Sequence, residues 1–127
     1  MESVMNKPVL GLIAGGVLGI FDGLTALVSA PEVAPQIAGI VMGSMAKGLV
    51  AGVLIGWFAK KVNNLGAGIA FGLAMGALFA LPFALMPDPT TGQKYFWEIL
   101  IPGSLVGLIV GFLTQRYGAM ALANARR

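Results

Sequence analysis

Two ionisable residues, Asp22 and Lys47, lie inside long stretches of apolar residues and glycine. A charge near the centre of a bilayer costs ~2.5–3.5 kcal/mol on insertion scales, so each charge needs a partner or a function there. A carboxylate and an ammonium at such a depth can form an ion pair, exchange a proton or bind a small ion or solute. Ser44, which precedes Lys47 by less than one helical turn, would extend this polar patch with a hydroxyl. The residues therefore predict a substrate or proton pathway; the alternative is an ion pair that only fixes the register of two helices.

Simple helix geometry brings the two charges together. If the chain turns near residues 32–33, Gly43 lies about level with Asp22 in an antiparallel helical hairpin, and Lys47 lies about one turn (~6 Å) deeper. Helical side chains lean toward the N-terminus of their own helix, so the side chains of Asp22 and Lys47 lean toward each other. We predict a contact between them, either direct or through one water molecule.

The residue types that the sequence lacks exclude several kinds of catalytic and metal site. The sequence has no histidine and no cysteine, and its five acids are dispersed along the chain. His-based triads, thiol catalysis and His/Cys metal sites are thereby excluded, and we predict no enzymatic activity, no cofactor and no metal site. Glu98 lies beside Trp97 near one end of the last apolar stretch. It is either part of a pathway mouth together with Glu32 and Asp88, or a solvated residue at the membrane boundary.

The composition is that of an all-α integral membrane protein. Hydrophobic residues make up 57% of the 127 residues and charged residues only 10%, and the mean hydropathy is +0.89. Crossing a bilayer as a helix takes ~20 apolar residues. Four stretches of about that length, with at most one charge inside each, cover approximately 8–29, 36–59, 66–87 and 95–115. We therefore predict one four-helix transmembrane domain over residues 1–127, with short termini and the lipid bilayer as its surroundings.

Glycine recurs every fourth residue within each predicted helix, which is typical of membrane helices that pack closely through small residues. The rows are Gly11, Gly15, Gly19 and Gly23; Gly48, Gly52 and Gly56; Gly68, Gly72 and Gly76; and Gly103, Gly107 and Gly111. An offset of 57 residues superimposes Gly11, Gly15 and Gly19 on the third row, and an offset of 55 superimposes the second row on the fourth. The match indicates either two repeated helical hairpins or the same packing demand met twice.

Pro82 and Pro102 fall inside the third and fourth predicted helices. Each removes a backbone donor and favours a bend. The two prolines are candidate hinges, or kinks that only shape the packing.

The basic residues predict the orientation. One side of the membrane would carry Lys7, Lys60, Lys61, Arg116, Arg126 and Arg127, and the other only Lys94. By the positive-inside rule, both termini face the cytoplasm in a multi-pass protein of the cytoplasmic (inner) membrane. These cations lie at helix ends and form no basic face, so nucleic acid is not a predicted partner despite a pI near 9.6.

Two functions from different classes are consistent with these features. The first is a small transporter or channel for a proton, small ion or small solute, formed as a homo-oligomer because one glycine-packed bundle has little room for an internal path. The second is a non-catalytic accessory or structural subunit that docks its glycine faces on a larger membrane complex.

Overall fold

The computed structural model describes residues 6–62, 64–89 and 91–118, and within these ranges the chain is helical without any β-strand. Helix α1 spans Lys7–Leu24 and continues after a turn as the short helix α2, Ala26–Ser29. A 3₁₀ helix, Pro31–Gln36, then leads into α3, Ile37–Val62. Helices α4 and α5 span Leu65–Leu85 and Phe96–Leu113, and a π-helical turn, Thr114–Gly118, follows α5.

Four of these helical segments are long and apolar enough to cross a membrane, as predicted. They are Lys7–Ser29, Pro31–Val62, Leu65–Leu85 and Phe96–Tyr117. The second segment is longer than the predicted 36–59, because the 3₁₀ helix extends it at one end and α3 continues through Val62 at the other. The third ends at Leu85 because Met86 precedes a proline, which disfavours helical backbone, and is extended.

Helices α1 and α4 each begin with an asparagine N-cap. The Asn6 side chain accepts a hydrogen bond from the Val9 amide at 2.9 Å, and the Asn64 side chain accepts one from the Ala67 amide at 2.9 Å. Each cap satisfies a backbone donor that has no partner within the first helical turn. Helices α1 and α4 therefore begin with the same capping residue and the same hydrogen bond.

The bundle has small residues inside and large apolar residues outside. Most buried positions of α1, α3, α4 and α5 are glycine or alanine. Phe21, Trp57, Leu78 and Trp97 are each more than half exposed. In water such a surface would drive aggregation, whereas in lipid it faces a solvent as apolar as itself. This distribution supports the assignment of a membrane protein.

Paired helices approach each other closely at their glycines. Helix α1 packs mainly on α3, and α4 mainly on α5, with fewer contacts between these two pairs. A Cβ atom placed on Gly15 would lie 2.1 Å from the carbonyl oxygen of Gly48, and one on Gly72 would lie 2.1 Å from that of Gly107. No side chain fits at either position without separating the backbones. We call α1 with α3 the first hairpin and α4 with α5 the second.

The facing glycines do not follow the predicted repeat offsets. Gly15 faces Gly48 in the first hairpin, and the offsets of 57 and 55 would carry this pair to Gly72 and Gly103. Gly72 instead faces Gly107, one helical turn away, and Gly103 faces Gly76. The two hairpins thus share their glycine contacts but differ in register from the pairing that the sequence alignment implies.

Both candidate hinge prolines lie within continuous helix. Pro82 is inside α4, and Pro102 is inside α5. Neither helix is interrupted at its proline, so motion there stays a prediction.

Candidate functional site

The predicted contact between Asp22 and Lys47 is present and direct. Lys47 Nζ lies 3.3 Å from Asp22 Oδ2, and the side chains of Lys47 and Asp22 are 11% and 6% exposed. Helix α1 supplies the carboxylate and α3 the ammonium, so the pair lies within the first hairpin.

The register of this hairpin differs by about two residues from the one predicted. A Cβ atom on Gly23 would meet Val41 Cα at 2.7 Å, so Asp22 lies near the level of Val41 and not of Gly43. Lys47 is then about six residues deeper, or ~9 Å of helix. The two side chains close that distance because each leans toward the N-terminus of its own helix, and α1 and α3 run in opposite directions.

The contact leaves hydrogen-bonding capacity unused. A separation of 3.3 Å exceeds the ~2.7–2.9 Å of a well-formed charged N–H···O hydrogen bond. Asp22 Oδ2 is buried and has no hydrogen-bond partner within the part of the chain that the structure describes. Lys47 Nζ also lies 5.8 Å from the centroid of the Phe83 ring, within the range of a cation–π contact. The Thr25 hydroxyl donates to the backbone carbonyl of Asp22 and not to its carboxylate.

A cavity of about 290 Å³ leads to Lys47, and we call it the vestibule. Its lining residues are Gln36, Gly39, Ile40, Gly43, Ser44, Lys47, Phe83 and Ile99. Gln36 precedes α3 and Ile99 lies in the first turn of α5, so the vestibule begins at the bundle end that carries the loops 30–36 and 86–95. We call this end the loop end. The wall is open at Gly39 and Gly43, where an added Cβ atom would meet nothing within 4 Å.

The path beyond the ion pair is closed. A void of only about 10 Å³ lies between the four long helices, lined by Asp22 and Lys47 among others. This is near the lower limit for one water molecule, ~10–15 Å³. Ala51, Ile55 and Val110 form a buried apolar cluster against the same void. The vestibule therefore ends at the ion pair, and an apolar barrier separates the pair from the opposite end of the bundle.

That opposite end, which carries Lys60, Lys61 and Arg116, holds a second polar cluster. The ammonium of Lys7, which is 3% exposed, donates to the Ala59 carbonyl at 3.0 Å and to Gln115 Oε1 at 2.9 Å. The carbonyl of Ala59 lies in the last turn of α3, so Lys7 binds α3 at its C-terminal end. The sequence reasoning missed this cluster, because it assigned Lys7 only to the charge bias. The sole signal was Gln115, a polar residue at the end of the last apolar stretch.

Acidic residues at the loop end bind neighbouring loops. The Tyr95 hydroxyl donates to Glu32 Oε2 at 2.8 Å, and Gln36 Nε2 donates to Asp88 Oδ1 at 3.3 Å. The hydrogen bond with Thr91 lowers the pKa of Tyr95, but burial and the Glu32 carboxylate outweigh it and raise the pKa above its ordinary value. Tyr95 therefore stays a protonated donor at neutral pH.

The predicted pathway residues are only partly brought together. Asp22 and Lys47 form the ion pair, and Ser44 lines the vestibule beside Lys47. Glu98 is exposed and does not line the vestibule. Its position agrees with the boundary alternative. Residues 119–127, including Arg126 and Arg127, lie outside the described residues.

The fold and the site define an all-helical protein with four membrane-length helices and a buried ion pair between the first two. Comparison with protein-family models, with curated proteins and with solved structures gave no significant match.

Proposed function

We propose that this chain is a small membrane transporter or channel, and that the Asp22–Lys47 pair is the site that a proton, small ion or small solute occupies on its way through. The observation that carries the proposal is the position of the pair at the closed end of the vestibule. A register-fixing ion pair needs no cavity, whereas a transport site needs access from one side. The unused hydrogen-bonding capacity of Asp22 supports the same interpretation.

Transport across this bundle requires the apolar barrier of Ala51, Ile55 and Val110 to open. In the proposal, a change in the pairing of Asp22 and Lys47 alters the contacts between the hairpins and opens the far side. Pro82 and Pro102 would allow α4 and α5 to bend during this step, since each leaves a backbone carbonyl without its helical donor.

The proposed architecture follows from the same contacts. Glycine rows hold each hairpin together, and the shared Asn caps and glycine contacts support an origin by repetition with a register change of one turn. The charge bias supports cytoplasmic termini in the inner membrane. A homo-oligomer is proposed because the void inside one bundle is too small for a solute.

The proposal is tested by flux in liposomes driven by a pH gradient or by voltage. The unaltered protein should conduct protons or small ions above the protein-free background, and Asp22→Asn should abolish this flux. Lys61→Met, which removes an ammonium near the exposed Trp57 ring, is a control outside the site and should retain the flux. Absence of any Asp22-dependent flux, together with a larger protein that co-purifies in fixed ratio from native membranes, would instead identify an accessory subunit.

A further inference from the structure

We infer that the vestibule binds a small organic monoanion with an apolar body, whose acidic group pairs with Lys47 while Asp22 takes up one proton. The inference deepens the proposed function by naming a substrate class for the same site. Its binding step is tested independently of transport.

Lys47 is the member of the ion pair that faces the vestibule. Lys47 lines the cavity, whereas Asp22 lines only the small void behind it. A solute that enters the vestibule from the loop end therefore reaches the Lys47 ammonium before the Asp22 carboxylate. Opposite charge within a few ångströms favours an anion there and disfavours a cation.

Lys47 has hydrogen-bond donors left for a ligand. A lysine ammonium has three N–H donors, and the contact with Asp22 involves a single carboxylate oxygen at 3.3 Å. Ser44 lines the vestibule less than one turn away and offers a hydroxyl. A carboxylate that enters the vestibule can accept from both residues, since it has two oxygens.

The size and polarity of the vestibule suit a ligand with an apolar body. Its walls are apolar at Ile40, Phe83 and Ile99, with open space over Gly39 and Gly43. The volume of about 290 Å³ is roughly twice that of the ~150 Å³ cavity in which benzene binds in another protein. An aromatic or short aliphatic acid fits this space with its apolar body against Phe83.

Charge balance links anion binding to a proton. The Asp22–Lys47 pair is neutral overall, so a bound monoanion would leave one net negative charge in the membrane. Protonation of Asp22 removes that charge, and Asp22 is the acid in contact with Lys47. The side chains that α4 and α5 contribute to the vestibule and to the void are Phe79, Phe83, Ile99, Val106 and Val110, none of which titrates. One proton should therefore be taken up for each anion bound.

The test uses three probes of similar size on the purified full-length protein in nanodiscs: benzoate, benzyl alcohol and benzylammonium. Binding is measured by calorimetry, and proton uptake by a pH-sensitive dye in weak buffer. Benzoate should bind at least about tenfold more tightly than either other probe, a difference of ~1.4 kcal/mol or more. The solution should become more alkaline on benzoate binding, by one proton for each site filled.

Three variants separate the contributions. Lys47→Met should lose benzoate binding, and Asp22→Asn should retain binding but lose the proton uptake. Gly43→Leu should block binding by filling the vestibule while it leaves the ion pair in place, which guards against misfolding of the charge variants. Lys61→Met is the control and should bind like the unaltered protein.

Benzoate binding that is unchanged in Lys47→Met or Gly43→Leu would overturn the inference, because it would show partition into lipid or another apolar surface. Tighter binding of benzylammonium than of benzoate would also overturn it. If Asp22-dependent proton flux occurs without any benzoate binding, the proposed function stands and the anion site is refuted. If benzoate binds as expected but no Asp22-dependent flux exists, the anion site stands and the transport function is refuted.

Discussion

Substituting alanine for glycine at two positions of α3 should change the stability by very different amounts, although both positions belong to rows with the same spacing. A Cβ atom on Gly52 would lie 2.0 Å from the carbonyl oxygen of Gly11 and 2.8 Å from its carbonyl carbon. A Cβ atom on Gly43 would meet nothing within 4 Å. Gly52→Ala therefore tests the contact of α1 with α3, and Gly43→Ala is a matched control on the same helix.

The expected cost at Gly52 follows from the geometry. Ordinary van der Waals contact begins at 3.4 Å, so the two backbones must separate by more than 1 Å. Neither partner atom belongs to a side chain that can rotate away. A radial gap of ~0.5–1 Å already loses a quarter to a half of each dispersion contact along the row, and overpacking typically costs ~1–3 kcal/mol. We expect the upper part of that range, about 3 kcal/mol, for Gly52→Ala.

At Gly43 the added methyl group is free of clashes, and alanine is the better helix former by about 1 kcal/mol in soluble helices. We expect a change within about 1 kcal/mol for Gly43→Ala, of either sign. Both free energies of unfolding are measured by titrating mixed micelles with sodium dodecyl sulfate and following far-ultraviolet circular dichroism. Equal destabilisation by the two substitutions would refute the backbone contact and the register on which it depends.

Two further predictions concern the buried cations and use the same assay. Asp22→Asn and Lys47→Met should each destabilise the fold by about 3–5 kcal/mol, because each leaves an uncompensated buried charge, and the double variant should lose less than the sum of the two. A double variant that loses the full sum of the two single losses would show that the two charges are energetically independent. Lys7→Met should cost about 1–3 kcal/mol, because it removes the buried donor of the hydrogen bonds to Gln115 Oε1 and to the Ala59 carbonyl. The exposed Lys60→Met should change stability by less than about 0.5 kcal/mol, and equal stability of these two lysine variants would contradict the assigned role of Lys7.

The helices and the ion pair were predictable because each follows from a local pattern. Apolar length gives the four membrane segments, and a charge that cannot face lipid must find its partner within reach. The antiparallel hairpin then leaves Lys47 as the opposite charge for Asp22. The prediction placed the facing residue about two positions away, because the level of the turn was estimated without the 3₁₀ helix at Pro31–Gln36.

The vestibule and the cluster around Lys7 were not predictable in the same way, because both depend on how the two hairpins meet. Gly39 and Gly43 continue the row of Lys47, about 100° around α3 from the row of Gly52, since one residue step turns an α-helix by that angle. The row of Gly52 faces α1, so the row of Lys47 faces the second hairpin. Whether that face is filled depends on the tilt between hairpins, which no spacing along the chain specifies.

The distribution of contacts indicates where the bundle can open. Within each hairpin, glycine backbones touch directly, and a shift there would break an entire row of contacts. Between the hairpins, contacts are fewer and consist of larger side chains such as Ile55, Phe79 and Val110, which can change rotamer without backbone strain. The ion pair lies within the first hairpin, whereas the vestibule is bounded by α3 on one side and by α4 and α5 on the other. We therefore expect movement of one hairpin against the other to change access to Lys47 while the Asp22–Lys47 contact itself responds only to the bound proton or ion.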